Sequence, residues 1–355
     1  AGLGKSRLVA ELRAMPSPLP EAKQRVRWLE GKSLSYETAA PYAPIVRLLN
    51  DYFALDGGLP DAQKVAAIKE DLDSFMPQET ADLAPYLAAL LGIGLEGEDA
   101  ERVRYLNPRQ MRARTSEAVR AFFEHLAARQ PLVLVVDDLH WTDSASLDLL
   151  RQLLPLTERT ALMIVAIFRP DKEAPSWPYH AEAAQTFGER YQAITLTPLA
   201  EEAAHEIAAN LLRVEDLPQM AQSLIMARAE GNPFFVEEII RALLDADMLT
   251  WEEKGWQPAQ GITNFAVPDT LAGVITARMD RLDDRARGAA QVAAVIGRQF
   301  DFDTLATITG TPDGLEAALA GLQERGMISE VADAPYRQFQ FTHALLQETV
   351  YASLL

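Results

Sequence analysis

Two short apolar runs set the first expectations. Leu-Val-Leu-Val-Val follows Pro131, and Ala-Leu-Met-Ile-Val-Ala-Ile-Phe fills positions 161–168. Both are rich in β-branched residues and lack polar alternation, the pattern of strands buried on both faces of a parallel sheet. Between them, Leu147, Leu150, Leu153 and Leu154 fall on one helical face, with Asp143 or Ser144 placed to cap it. A third buried strand is expected over 193–196, stopped by Pro198. Upstream, Arg-Leu-Val-Ala-Glu-Leu after Ser6 is apolar on one face and predicts a helix ended by Pro16, Pro18 and Pro20. A strand is expected over 25–29, closed by Gly31. Several short amphipathic helices follow over 45–91, punctuated by Gly57-Gly58 and Pro77. A longer helix over 110–129 buries Ala118, Val119, Phe122, Phe123 and Leu126. Strands alternating with helices as far as Leu199 predict an α/β, doubly wound parallel sheet.

Beyond Leu199 the period becomes helical. Helices are expected over 201–212, 217–229, 233–244, 269–282 and 284–296. A small hairpin is expected at 251–257, turning at Gly255. The end reads as a helix over 313–325, short strands over 327–331 and 337–341, and a helix from Thr342. Helices followed by a small hairpin predict a winged-helix unit.

The chemistry begins at the first residues. Gly4, Lys5 and Ser6 are the close of the phosphate-loop pattern G-x-x-x-x-G-K-[ST], whose first glycine would lie roughly two positions before Ala1. The chain is therefore expected to be part of a longer protein. Only glycines let backbone N–H groups curl around a phosphate chain, and the helix that follows adds its positive end. Gly2, Leu3, Gly4, Lys5, Ser6 and Arg7 are the cofactor-binding candidates here. Lys5 would bridge the β- and γ-phosphates, and the Ser6 hydroxyl would hold Mg²⁺. A glycine-started helix with a surface lysine is the plainer reading of this half motif.

The first apolar strand ends in Asp137-Asp138. Paired carboxylates there are what a Mg²⁺ site facing a phosphate loop requires: Asp137 for the metal, Asp138 to polarise an attacking water. Capping of the next turn is the alternative, but Asp143 is better placed for it. Arg169 closes the second apolar strand, where α/β sheets gather ligands. It could sense a γ-phosphate or be an ordinary surface arginine. In Gly231-Asn232-Pro233-Phe234-Phe235, glycine ending one helix and proline starting the next is sufficient as helix punctuation. His343 opens the last helix and is by default structural.

Composition narrows the partners. The 355 residues carry 33 Lys and Arg against 51 Asp and Glu, a formal net charge of −18, with no basic stripe to displace counterions from a duplex. Direct nucleic-acid contact by this stretch is not expected. No apolar run reaches eighteen residues, so no membrane span is expected. There are no cysteines and only five histidines, none paired at metal-ligand spacing, which argues against a disulfide framework and a zinc enzyme. A cytoplasmic location is the expectation.

Taken together, A-G-L-G-K-S-R-L, V-V-D-D-L-H-W-T-D, A-I-F-R-P, G-N-P-F-F-V-E-E and F-T-H-A-L-L-Q-E-T-V-Y resemble the AAA-type ATPase module of the STAND class. Such modules sit in bacterial class III adenylate/guanylate cyclases, LuxR-type regulators and some serine/threonine kinases. The resemblance implies a P-loop nucleotide-binding domain over 1–199, a helical lid over 200–266 and a winged-helix-like domain over 267–355. It places the Arg169 strand between the P-loop and Asp137 strands, which favours a sensor role for Arg169. It brings Pro233 near the adenine of the nucleotide and gives His343 the β-phosphate of ADP to read. It implies an ATP/ADP-binding switch with slow hydrolysis and Mg²⁺, controlling a fused output domain outside these residues. The parent favoured is a cyclase. A LuxR-type regulator, or an oligomeric ATPase with vigorous turnover and an arginine supplied in trans, are the alternatives. No two-metal cyclase core is visible over 53–105.

Overall fold

The computed structural model describes residues 2–15, 26–34, 40–55, 57–212, 218–252, 255–259, 262, 266–310, 314–331 and 336–354. Packing divides the chain into two compact units. One is Lys5–Ile194; the other joins Ala1–Gly4 to Thr195–Leu355.

The Lys5–Ile194 unit is built on a parallel sheet of β1 (Arg27–Lys32), β2 (Leu132–Asp137) and β3 (Leu162–Ala166), with β2 in the middle. Its pleat explains the unbroken apolar run of β2. Leu132, Leu134 and Val136 point into the main core, whereas Val133 and Val135 pack with Val9 and Ile167 on the opposite face. Helix α1 (Lys5–Ala14) supplies Val9 on that second face. On the first face, α2 (Ala43–Phe53), α3 (Asp61–Asp73), α4 (Thr80–Leu90) and α6 (Pro108–Arg129) fill the main core, α6 with Phe122, and α5 (Gly97–Arg104) packs against α4. Phe122 is fully buried and meets Tyr52 edge to face at 4.9 Å. Burying one such side chain contributes about 2–3 kcal/mol. Helix α6 starts at Pro108 because Asn107 and Gln110 form a reciprocal capping box. Helices α7 (Ser144–Leu153), α8 (Leu156–Arg159) and α9 (Ser176–Phe187) complete this unit.

Two expectations need correction. Gly31 does not close β1 but lies inside it. A Cβ at Gly31 would sit 2.4 Å from the Pro44 carbonyl, so the glycine lets α2 approach the strand. The strand expected over 193–196 is not formed: residues 191–200 have no regular structure, and Ile194 is 68% exposed. Apolar residues make a strand only beside a partner, and this segment pairs with none among the described residues. The Pro16, Pro18, Pro20 break and the first residue of the strand expected over 25–29 lie outside the described residues, as do the starts of the helices expected at 217 and 313.

The second unit is mostly helical, with α10 (Glu201–Leu212), α11 (Gln219–Ala229) and α12 (Pro233–Asp245) followed by a hairpin, β4 (Leu249–Glu252) and β5 (Gly255–Pro258). Then come α13 (Leu271–Asp280), α14 (Asp284–Ile296), β6 (Gln299–Asp301), α15 (Phe302–Thr309), α16 (Leu315–Glu324), β7 (Ile328–Glu330), β8 (Gln338–Phe341) and α17 (Ala344–Ala352). The last strands form an antiparallel sheet with β8 between β6 and β7. Strand β6 and helix α15 were not foreseen; three residues of strand are too few to show a period. Two cores fill this unit. Phe234 of α12 enters the core around α14 and α16, while Val274 of α13 enters the core around α10 and α11.

Buried charge ties the same helices together. Arg278 is fully buried and bonds Glu238 at 2.6 Å, Asp245 at 2.9 Å and the Arg325 carbonyl at 2.5 Å. The Arg325 guanidinium returns to Asp245 at 2.9 Å. Among the described residues, no helix is long and apolar enough to cross a membrane.

Candidate functional site

The carboxyl ends of β1, β2 and β3 lie side by side, and the chemistry gathers there. Parallel pairing puts Lys32 level with Asp137. The Ser6 hydroxyl, in the first turn of α1, donates to Asp137 Oδ2 at 3.2 Å. A helix hydroxyl and a strand carboxylate 131 residues apart in sequence thus meet directly. Burial and the neighbouring Asp138 push the Asp137 carboxyl up, while Lys32, the Asp138 amide at 2.8 Å and Ser6 oppose them. Hard oxygen ligands crowded at one point suit Mg²⁺, which takes one or two protein oxygens and keeps the rest for phosphate and water. No cluster of three or more His, Cys, Asp or Glu at metal distance exists among the described residues.

Asp138 is left-handed, with φ of 55° and ψ of 40°, and turns the chain sharply out of β2. Its Oδ2 lies 3.2 Å from the Lys32 ammonium in a largely buried pair. Leu139 N donates to the Ile167 carbonyl, and Ile167 N to the Val136 carbonyl, both at 2.9 Å. The turn Leu139–Trp141 is therefore stitched beside the segment carrying Arg169. The Arg169 guanidinium lies 5.4 Å from the Trp141 ring, a cation–π contact. Ser33 and Thr142, both buried, share a hydrogen bond that anchors the far side of the turn. Asp143 caps α7 through Ser146 N at 2.9 Å, leaving Asp137 and Asp138 free of that duty.

Lys5, Ser6 and Arg7 open α1, with Ser6 and Arg7 exposed and Arg7 paired to Glu11. Gly2 and Gly4 both have positive φ, 80° and 89°. Gly4 has open space where a Cβ would go, so its need for glycine is conformational. Gly2 is packed within the other unit: a Cβ there would come 2.5 Å from Asn232 Oδ1, and its carbonyl accepts from Phe234 N at 3.4 Å. Leu3 follows, partly buried. Pro233 is the first residue of α12, which Asn232 caps through Phe234 N at 3.1 Å and Phe235 N at 3.3 Å. His343 caps α17, its Nδ1 accepting from Leu345 N at 3.2 Å, and its ring stacks on Phe234 at 3.7 Å. The structure thus brings Ser6, Asp137 and Asp138 together with Arg169 nearby. In the other unit it joins Gly2, the Asn232-Pro233 cap and, through Phe234, His343.

Three residues of the first unit were not foreseen as members: Lys32, His140 and Trp141. Lys32 carries no local motif, and only the β1–β2 register brings it to Asp138. His140 and Trp141 stand inside the quoted D-D-L-H-W run, where their types could have been noticed.

Parts of the chain are similar to known families and proteins. Residues 1–165 match the AAA ATPase domain family, and residues 200–255 match a domain family of unknown function, DUF8739. An uncharacterized protein of Rhizobium meliloti is 25% identical over 376 residues, covering 100% of this chain and 32% of that protein. The peroxide stress-activated histidine kinase mak3 of Schizosaccharomyces pombe is 22% identical over 227 residues, covering 61% of this chain and 9% of the kinase. The chain therefore spans a third or less of these relatives. Among solved structures, a STAND protein with a tetratricopeptide repeat sensor from Pyrococcus horikoshii aligns with a TM-score of 0.45 and 11% identity, over 98% of this chain and 42% of that one. The chain carries an α/β unit built on a parallel sheet, and its first 165 residues are similar to an AAA ATPase domain.

Proposed function

We propose that this chain is an ATP/ADP-binding regulatory switch of a larger signalling protein, hydrolysing ATP slowly. One observation carries the reading: the Ser6 hydroxyl, next to Lys5 in the first turn of α1, sits 3.2 Å from Asp137. In this assignment Gly2, Leu3, Gly4 and Arg7 shape the loop, and Lys5 neutralises the β- and γ-phosphates. Ser6 and Asp137 hold Mg²⁺, whose charge offsets the phosphates when nucleotide is bound. Asp138 orients the attacking water, and its pairing with Lys32 limits how freely it accepts a proton, consistent with slow turnover. Arg169, steadied by Trp141, senses the γ-phosphate. The resemblance assigns Pro233 to the adenine and His343 to the β-phosphate of ADP.

The same reading takes residues 1–199 as the nucleotide domain, 200–266 as the lid and 267–355 as a winged-helix-like domain. A cyclase is the preferred output domain and a LuxR-type regulator the alternative. Support for a multidomain signalling parent comes from the small share of the yeast kinase that this chain covers.

Calorimetry on the full-length protein tests the assignment. ATP and ADP are expected to bind with Mg²⁺, and Lys5→Ala to weaken both by at least about a hundredfold, the scale of losing a charge-assisted phosphate contact. Binding that survives Lys5→Ala unchanged, or no binding by the wild type, would sink it.

A further inference from the structure

His140 is the residue at the sheet ends that the assignment above leaves without a task. Both of its ring nitrogens are buried from solvent, and neither has a hydrogen-bond partner. A buried polar group left unpaired opposes folding, so its retention calls for a cause. The ring is held in place by Trp141, at 4.5 Å between centroids, and by the turn that left-handed Asp138 initiates. Around it stand two cations, Lys5 and Arg169, and two carboxylates, Asp138 and Asp171, all within electrostatic reach. Lys5, Arg169 and Asp138 are the groups already given to the phosphates and the attacking water. Burial lowers the imidazole to about 4, so at neutral pH it carries one N–H donor and one bare acceptor.

We propose that His140 is a further residue of the nucleotide site, donating its N–H to the terminal phosphate of ATP and so separating ATP from ADP. The proposal rests on the nucleotide assignment above. A neutral ring suits the place. It offers a directed donor to a phosphate oxygen without adding a third positive charge to Lys5 and Arg169, and its second nitrogen can accept from a water. ADP offers no γ-oxygen, so the ring gains nothing from it. The rival role is internal: Ser176 Oγ, at the start of α9, is also buried and unpaired, and α9 packs against the 139–141 turn. A water held between histidine and serine would be structural and indifferent to the nucleotide.

The two roles part in one experiment on the full-length protein, with Mg²⁺ at pH 7.5. ATP and ADP affinities are measured by calorimetry for wild type, His140→Ala and His140→Asn. The expected result is an ATP affinity about tenfold weaker in His140→Ala, with ADP affinity held within about twofold. Asparagine keeps a donor at similar reach, so His140→Asn should recover most of the ATP preference. Equal weakening of both nucleotides, or no change in either, overturns the proposal while leaving nucleotide binding intact. A wild type that binds neither nucleotide overturns the assignment beneath it, and the proposal with it. Should His140→Ala fail to fold, His140→Leu, which fills the space without a donor, replaces it: ATP affinity about tenfold weaker with ADP affinity held within about twofold agrees with the proposal, and an ATP-to-ADP ratio shifted by less than about twofold refutes it.

Discussion

At the residue scale, His140 also makes acid stability informative. Its ring titrates near 6.5 when exposed and near 4 in the fold, because burial disfavours the cation, Arg169 and Lys5 do the same, and Asp138 and Asp171 only partly offset them. Between those values the unfolded chain binds more protons than the folded one. Stability is therefore full above about pH 6.5 and declines as pH falls toward about 4. Allowing for the ring's partial exposure, the loss is on the order of 1 kcal/mol. Urea unfolding at pH 7 and pH 4.5 should show wild type losing this amount relative to His140→Gln; a difference that stays constant with pH would contradict it. The half of the site that lies in linear motifs was legible from the sequence. Gly4-Lys5-Ser6 and Asp137-Asp138 stand out by spacing, and the structure brings Ser6 to Asp137. Lys32 was not legible, since its meeting with Asp138 depends on strand register across a hundred residues. The same holds for the packing of Phe234 on His343.

At the scale of the element, start signals were read more securely than partners. Asp143 is recognisable as a cap by type and position, and it does more than cap. One oxygen takes Ser146 N at 2.9 Å, and the other takes Tyr42 N at 3.2 Å from the turn before α2. Asp143→Ala should lower unfolding free energy by about 1–2 kcal/mol, with Asp143→Asn losing less than half of that. A wild-type urea midpoint in the alanine variant would show the cap to be idle. The buried strand β2 was legible because both its faces are covered, leaving no polar position to blur the pattern, whereas β3 carries the same kind of apolar run with Met163 exposed and Ile164 to Ala166 only half-buried. The failure over 193–196 has the converse cause. Four residues of suitable type say nothing about whether a neighbouring backbone lies within reach. Gly31 misled for a related reason, since a glycine can mark a turn or a close approach, and only the position of Pro44 tells which.

For the molecule as a whole, the helical half is organised around a charge that hydropathy would place outside. Arg278 is fully buried with Glu238, and Asp245 and Arg325 extend the cluster. Removing one partner leaves a bare charge in the core, so Arg278→Met should cost about 3–5 kcal/mol, read as a lowered unfolding midpoint. Adding Glu238→Leu should restore part of the loss, because it removes the stranded carboxylate. A single variant within about 1 kcal/mol of wild type would mean the cluster contributes little. The period change after Leu199 revealed that this half is helical. It could not reveal that α12, α13 and the end of α16 share one ion cluster, because each charge looks locally like a solvated face. That cluster also bears on how the sequence can drift. Glu238, Asp245, Arg278 and Arg325 depend on one another, so a change at one position lowers the fitness of the other three. Descent should therefore conserve the four as a set or exchange them nearly together for apolar residues, and chains caught halfway should be scarce.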